Sequence, residues 1–296
     1  MTTSNSRGHL RKVVNPTADA VIICVEATAV VEELCRRQNA SPPAMLHLGK
    51  AALSSFLLQA LSDLDDDPER IHLYWKVDGV FGELIAEAHE LGVMRARLSS
   101  PTPSVHDLEV SLGNGSFEVT RWKGGQPTRG VIDSGGDVHK DFQSYLENSE
   151  QKLCAVSFSV KVNYRQNPDS GENEFFIEKA LAYLIHFLPE IKEGDQKLKA
   201  AEWDRYMQGL GPLSQWKLSD DSETATLEMA KYLLARPDVN SVKDYAISYG
   251  CRCSFERAKS VIAMLTPEEQ EDSKNQREDR KIEVSCEFCG QNYLVD

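Results

Sequence analysis

Four of the seven cysteines lie near the carboxyl terminus as two close pairs, and this spacing limits the possible folds more than any other feature. The first pair is Cys251-Arg252-Cys253, and the second is Cys286-Glu287-Phe288-Cys289, which Gly290 follows. A tetrahedral zinc site takes four such sulfurs, at Zn–S distances of about 2.3 Å. The spacing therefore predicts one Zn²⁺ per chain in the reduced protein, bound by Cys251, Cys253, Cys286 and Cys289. It leaves open whether such a site is only structural, senses oxidants or belongs to a nucleic-acid-binding module.

The residues around the two pairs predict a small lobe with little apolar surface of its own. Ser254 is suited to cap a helix that Pro267 ends, and Ile282 and Val284 alternate into the second pair as in a hairpin strand. The apolar face of that helix consists of Phe255, Ala258, Ile262 and Leu265. A lobe of this size buries too little apolar surface to fold alone, so metal binding would supply much of its folding free energy.

The acidic composition argues against nucleic acid as the principal partner. The chain of 296 residues has 46 acidic and 33 basic side chains and a formal net charge of −13. A net charge of this sign repels a phosphate backbone. The sequence also has no apolar run of about eighteen or more residues and no signal-peptide pattern. It therefore predicts a soluble, cytoplasmic protein without membrane contact.

The other three cysteines, Cys24, Cys35 and Cys154, lie in apolar surroundings and are predicted to be small core residues. In a reducing compartment, close cysteine pairs indicate metal or redox chemistry more readily than permanent disulfides. We therefore expect these three thiols to be dispensable for any response to oxidants.

Residues 1–189 predict an α+β core domain, with a mostly antiparallel sheet and helices packed on it. A largely apolar helix starts at Pro42-Pro43, and strands follow from Arg70 onwards, where apolar residues recur with a period of two. The segment Phe175–Phe187 is ambiguous, because Glu178–Leu188 has a helical composition, yet an extended segment would complete the sheet.

Residues 190–242 predict a helical, metastable linker, and residues 243–296 predict the zinc-binding lobe. Large apolar side chains lie on one amphipathic helix of the linker, and a second helix is predicted at Glu223–Ala235. Glycine and proline interrupt this segment, which makes it a poor independent domain. We therefore expect the linker to dock on the sheet of the core domain.

Motifs typical of enzymes are absent from the sequence, which has no G-x-S-x-G, H-E-x-x-H, P-loop or G-x-G-x-x-G after a strand. The protein is thus predicted not to be an enzyme. One alternative is a thiol–disulfide oxidoreductase using Cys286 and Cys289, but it would need this pair at a helix N-terminus, which lowers a thiol pKa. The other is a zinc-ribbon interaction or nucleic-acid-binding module, which would need a basic face around the metal.

Segment 251–257 reads Cys-Arg-Cys-Ser-Phe-Glu-Arg, and segment 286–293 reads Cys-Glu-Phe-Cys-Gly-Gln-Asn-Tyr. They resemble the Cys-x-Cys-Ser-x-Glu-Arg and Cys-x-x-Cys-Gly-x-x-Tyr motifs of the redox-regulated thirty-three-kilodalton heat-shock protein family. Weaker similarity spans most of the chain and includes Val77-Asp78-Gly79 and Gly113-Asn114-Gly115. Between Lys161 and Glu190, charged and aromatic residues replace the glycine-rich, apolar pattern expected of that family.

The resemblance implies a zinc-containing holdase chaperone that binds unfolding proteins and prevents their aggregation under oxidative stress. It implies that an oxidant converts Cys251 and Cys253 into one disulfide, and Cys286 and Cys289 into another, with loss of zinc. The lobe and the linker would then unfold, and the oxidised protein would form a homodimer. The linker residues that would bind clients are Leu198, Trp203, Tyr206, Met207 and Trp216.

Overall fold

A computed structural model describes residues 7–15, 20–62, 69–105, 107–123, 125–168, 171–188, 205–235 and 239–296. The chain divides into two compact units, Met1–Tyr249 and Gly250–Asp296. The first contains a large sheet with helices on its faces, and the second contains all four cysteines of the two pairs. The predicted α+β class is therefore confirmed.

Within the described residues, the sheet of the first unit has ten strands. They are β1 (Arg7–Val14), β2 (Ala20–Glu26), β3 (Arg70–Val77), β4 (Leu84–Glu90), β5 (Val93–Leu98), β6 (Gly115–Lys123), β7 (Gln126–Ser134), β8 (Cys154–Gln166), β9 (Asn173–Phe187) and β10 (Ser241–Tyr249). Their order in the sheet is β7-β6-β3-β4-β5-β10-β1-β2-β9-β8. Neighbouring strands are antiparallel, except that β10 pairs with β5 in parallel.

Several helices pack on this sheet. They are α1 (Thr28–Gln38), α2 (Pro42–Ser62), α3 (Val138–Asn148), α4, of which residues 205–210 are described, and α5 (Ser222–Leu234), with a 3₁₀ turn at Leu213–Gln215. By length and composition α2 could cross a membrane, but 89% of its most apolar window is buried within the protein. A helix buried on nearly all sides belongs to the core of a globular unit, and its sequence is apolar all round.

The main core lies on the face of the sheet that α2 covers. Trp75 of β3 and Phe117 of β6 are fully buried there, and their ring centroids lie 4.1 Å apart in a stacked arrangement. Gly49 of α2 lies directly against Val160 of β8, because a Cβ at residue 49 would come within 2.8 Å of that side chain. Glycine thus lets α2 approach the sheet closely enough to fill this core.

The described part of the predicted linker covers the second face of β1, β2 and β9. Alternate residues of β2 face opposite sides of the sheet, so Ile23 belongs to the main core and Ile22 to a separate hydrophobic cluster. We call this cluster on the other face the second cluster; its buried residues include Leu181, Leu213, Met229 and Leu233. Met229 and Leu233 of α5, with Leu213 of the 3₁₀ turn, are at most 3% exposed within that second cluster. These residues dock on the sheet as expected, whereas the metastability of the linker stays a prediction.

The second compact unit begins at Gly250, not at the predicted residue 243, because residues 241–249 form β10 inside the large sheet. Asp244 of β10 contacts two polar side chains of the neighbouring strand β1. His9 Nε2 lies 2.6 Å from Asp244 Oδ1, and the Arg11 guanidinium contacts the other carboxylate oxygen. The contact with His9 and the ion pair with Arg11 hold a polar segment in the middle of a sheet.

The ambiguous segment Phe175–Phe187 is extended, since it lies within β9 and pairs with both β2 and β8. Hydrogen bonds to a strand on each side outweigh its helical composition. The sheet therefore continues through the region in which the sequence departs from the family pattern.

The second unit contains α6 (Phe255–Ile262), α7 (Pro267–Asn275), β11 (Ile282–Ser285) and β12 (Asn292–Val295). The predicted helix and hairpin are present, but Phe255 is 44% exposed and does not belong to the buried face of α6. Helix α7 was not predicted. Thr266 caps it in a reciprocal capping box with Glu269, so the proline after Thr266 starts a helix.

Candidate metal centre

The first cysteine pair lies in the short segment between the end of β10 and the start of α6. Ser254 follows Cys253 directly and caps α6, because its hydroxyl oxygen accepts a hydrogen bond of 3.2 Å from the Arg257 backbone N–H. Arg257 also donates from Nη1 to the Arg252 carbonyl oxygen, at 2.6 Å. The cap and this second hydrogen bond fix the backbone that carries both sulfurs.

The second pair lies in the tight turn that joins β11 to β12. The Gly290 N–H donates to the Cys286 carbonyl oxygen at 2.8 Å, and the Cys286 N–H donates to the Gln291 carbonyl oxygen at 2.9 Å. Gly290 has a φ of 68°, in the left-handed region that glycine adopts without strain. This glycine therefore lets the chain turn back directly after Cys289.

The structure brings the four sulfurs together. Cys251 Sγ lies 3.6 Å from Cys286 Sγ, and Cys253 Sγ lies 3.4 Å from Cys289 Sγ. All four sulfurs lie within 4.8 Å of one another, and none of the four cysteines forms a disulfide. Zn–S bonds of about 2.3 Å in a tetrahedron place sulfurs about 3.8 Å apart. The donor set therefore fits a tetrahedral zinc ion, and the sulfur separations are too long for disulfide bonds.

The thiols of the cluster differ in their tendency to ionise. Burial acts to raise the pKa of Cys251, but hydrogen bonds with the Cys253 backbone and with neighbouring thiols outweigh it, so this pKa lies below its ordinary value. Burial raises the pKa of Cys286 despite hydrogen bonds with the backbone of Phe288 and Cys289. The cluster thus combines one sulfur whose thiolate is favoured relative to an ordinary cysteine with one whose thiolate is disfavoured until a cation compensates it.

The apolar core of this unit is small. Its buried residues among those described are Ala258, Ile262, Ile282 and Val295, with Val284 and Tyr293 packed against them. Burying so few small and branched side chains contributes only a few kcal/mol, which is far less than the cost of ordering the chain of this unit. A cross-link between the two cysteine segments is therefore needed to hold the unit together.

The two alternative functions lack the surroundings that they require. Two basic side chains of the second unit are neutralised by acidic neighbours, because Arg277 pairs with Asp279 and Glu283, and Arg280 pairs with Glu271. A nucleic-acid interface would leave such charges available. The Cys286–Cys289 pair lies in a strand-to-strand turn, away from the helix N-terminus that an oxidoreductase would use to activate a thiol.

The three remaining cysteines lie in the core of the first unit. Cys24, Cys35 and Cys154 are all buried, and burial raises the pKa of each, to about 12 for Cys154. A thiol that stays protonated at neutral pH reacts slowly with oxidants.

Changing Cys24, Cys35 and Cys154 together to alanine is expected to leave the predicted response to oxidants intact. The reason is that none of these protonated thiols contributes a sulfur to the cluster of four. The test compares the triple variant with the unsubstituted chain after peroxide treatment and measures zinc release and client binding in both. A folded triple variant that no longer responds to the oxidant would contradict the assignment.

The residues predicted to bind clients lie apart from the cysteine cluster in sequence, in the first unit. Met207 and Trp216 pack against the second cluster, and the Tyr206 hydroxyl donates to the Tyr232 carbonyl oxygen. The Trp216 ring stacks on Tyr183 of β9, with ring centroids 5.9 Å apart. The two remaining predicted residues lie outside the described part of the chain; they are Leu198 and Trp203.

One residue near the cluster was missed by residue-by-residue reasoning. Tyr293 of β12 donates from its hydroxyl to Cys253 Sγ, at 3.2 Å. The sequence signal for Tyr293 is its place at the end of the second motif. That place does not indicate which sulfur the hydroxyl contacts.

Comparisons with known proteins identify the family of this chain. The family model for the Hsp33 protein matches residues 8–296. A 33 kDa chaperonin of Thermus thermophilus is 30% identical over 289 residues, covering 93% of this chain and 80% of that protein. The 33 kDa chaperonin of Symbiobacterium thermophilum is 29% identical over 275 residues, covering 90% of this chain and 86% of that protein.

A solved structure shares the fold. The crystal structure of the 33 kDa chaperonin from Thermotoga maritima matches with a TM-score of 0.81 at 20% identity. The match covers 98% of this chain and 94% of that chain. Because the Hsp33 family model matches nearly the whole of this chain, the chain belongs to the Hsp33 family.

Proposed function

We propose that this protein is a holdase chaperone switched on by oxidation of its metal centre. The observation that carries the proposal is the cluster of four sulfurs, two from each of two segments, in a unit with a very small apolar core. Such a unit depends on its cross-link for stability, so a reaction that destroys the cross-link also unfolds the unit. Membership of the Hsp33 family supports the chaperone function.

In the reduced protein, Cys251, Cys253, Cys286 and Cys289 act as thiolate ligands. Zinc, when bound there, links the two segments and supplies a binding free energy of about 10–16 kcal/mol, the scale of small structural sites. Oxidation to two disulfides, Cys251–Cys253 and Cys286–Cys289, removes two electrons per bond and leaves no thiolate to bind metal. Each of these disulfides joins residues within one segment, so it does not replace the lost link between segments.

Unfolding of the zinc-binding lobe would destabilise the docked linker through β10. Only Gly250 separates Cys251 from Tyr249, which is the last residue of β10. Asp244 of this strand pairs with His9, and His9 Nδ1 lies 2.8 Å from the Thr226 hydroxyl of α5. We infer that unfolding which pulls on β10 loosens this contact and helps release α5 from the sheet.

The surface then uncovered would bind clients. Tyr206, Met207 and Trp216 are half-buried in the docked linker, which suits groups that switch between packing on the sheet and binding unfolded chains. Leu198 and Trp203 belong to the same proposed surface. We further propose that the oxidised chain forms a homodimer and that the protein acts in the cytoplasm, where thiols are normally kept reduced.

An aggregation assay with thermally unfolding citrate synthase tests this function. Reduced, zinc-loaded protein is expected to leave aggregation unchanged, whereas peroxide-treated protein suppresses it and releases one zinc per chain to a colorimetric chelator. Reduction with dithiothreitol in the presence of zinc should reverse both effects. Equal suppression by the reduced and oxidised proteins, or activation without zinc release, would contradict the proposed switch.

A further inference from the structure

Tyr293 is the one tyrosine in the second unit, and its hydroxyl is directed at the metal centre. Its ring packs against the small apolar core of this unit, and its backbone pairs with Val284 across the hairpin. The O–H donates to Cys253 Sγ at 3.2 Å, a normal length for a hydrogen bond to sulfur. The hairpin therefore delivers a neutral donor to one particular sulfur of the cluster.

A hydrogen bond donated to a metal-bound thiolate has two physical effects. It fixes the direction in which the sulfur presents its lone pairs, which favours the metal-bound geometry. It also draws negative charge away from the sulfur, so the sulfur becomes a weaker nucleophile towards electrophiles such as peroxides. Both effects are lost if the hydroxyl alone is removed and the ring is kept.

We propose that Tyr293 is a positioning residue of the metal centre, which protects Cys253 from oxidants and so sets how readily the centre is oxidised. The proposal rests on the proposed function, in which the four cysteines bind zinc in the reduced protein. Its consequence is an order of reaction within the first pair: Cys251 reacts before Cys253.

The step being slowed is the attack of a cysteine thiolate on hydrogen peroxide. The sulfur bonds to one peroxide oxygen as the O–O bond breaks, which leaves a cysteine sulfenic acid and a hydroxide ion. The sulfur loses two electrons, and the peroxide gains them. A second thiolate of the cluster then displaces hydroxide from the sulfenic acid and forms a disulfide.

The first test compares Tyr293→Phe with a matched control in the same hairpin. Ser285→Ala removes a hydrogen bond of 2.7 Å, from the Ser285 hydroxyl to Asn292 Oδ1, without touching a thiol. Tyr293→Phe is expected to weaken zinc affinity about 10-fold in competition with a chelator, the scale of lost outer-shell partners. It should also release zinc faster in hydrogen peroxide, and Ser285→Ala should match the unsubstituted chain in both measurements.

The second test reads the two sulfurs of the first pair separately. Trypsin cleaves after Arg252, so Cys251 and Cys253 fall into different peptides that mass spectrometry can quantify. After brief alkylation of the reduced, zinc-loaded protein with iodoacetamide, labelling should favour Cys251 over Cys253. Tyr293→Phe is expected to raise the relative labelling of Cys253, a shift that general loosening of the lobe would not confine to one sulfur.

Unchanged zinc affinity, unchanged release rate and an unchanged labelling ratio in folded Tyr293→Phe would overturn the role of Tyr293 while leaving the switch intact. Absence of zinc from the unsubstituted reduced chain would instead overturn the proposed function. If Tyr293→Phe does not fold, the unsubstituted chain is produced with 3-fluorotyrosine, whose hydroxyl is a stronger donor. Zinc release by peroxide should then slow, and an equal or faster release would refute the proposal.

Discussion

Replacing Cys286 by serine is expected to remove zinc from the reduced protein and to unfold the second unit. Serine offers no thiolate, so one of the four sulfurs that lie within 4.8 Å of one another is lost from the donor set. Loss of an outer-shell partner weakens metal affinity about 10–100-fold. Losing a direct ligand should weaken zinc affinity by more than that. Metal analysis of the purified chain gives the zinc content, and hydrogen exchange by segment shows which unit has lost protection.

Cys154→Ala is the matched control, since it removes a buried thiol that is 6% exposed and has no place in the cluster. It should retain one zinc per chain and a protected second unit. In Cys286→Ser, residues 250–296 should exchange freely and α5 should lose protection, while strands β2 to β9 of the first unit stay protected. Full zinc occupancy with unchanged affinity in Cys286→Ser would exclude Cys286 as a ligand.

Replacing Met229 by aspartate is expected to produce a chaperone that is active while reduced and zinc-bound. Met229 is fully buried in α5, where it packs in the second cluster with residues such as Ile22 and Leu181. An unpaired carboxylate at this position would cost several kcal/mol on burial, so α5 should undock from the sheet. Undocking would uncover the proposed client-binding surface without any oxidation.

Met264→Asp provides the same chemical change at a methionine that is 82% exposed, and it should behave as the unsubstituted chain. The measurements are suppression of citrate synthase aggregation by reduced protein and hydrogen exchange across α5. A Met229→Asp variant with an unprotected α5 that still fails to bind clients would show that release of this helix is not the activating event.

Local patterns were sufficient to predict the parts of the fold whose partners lie nearby in the sequence. The β11–β12 hairpin, the Ser254 cap and the two cysteine pairs are each specified within a few residues. The proximity of all four sulfurs could also be anticipated, because a small lobe with two close pairs has few other ways to use them. The Cys253–Tyr293 contact could not, since it depends on how the hairpin packs.

Strand β10 shows why the remainder was not predictable. Lys243 and Asp244 give it a polar composition, and only Ile247 is fully buried. Its stability in the sheet comes from His9 and Arg11, which lie more than two hundred residues earlier in the chain. A window of sequence contains no information about so distant a partner, so the boundary of the second unit was predicted too early. Similarly, β9 has helical composition but is extended between two strands.

The place of β10 in the sheet also bears on how the chain is synthesised. Among the described strands, only β10 hydrogen-bonds to both β5 and β1, which border two otherwise separate groups of strands. Because β10 comes after all of them in the sequence, a nascent chain cannot join the two groups until residue 249 has emerged from the ribosome. Until then the edges of β5 and β1 remain open to pairing with other chains, a known route to misassembly. Cys251 and Cys253, the first two cysteines of the proposed metal centre, emerge immediately afterwards, so the two groups of strands are joined just before the proposed centre can form.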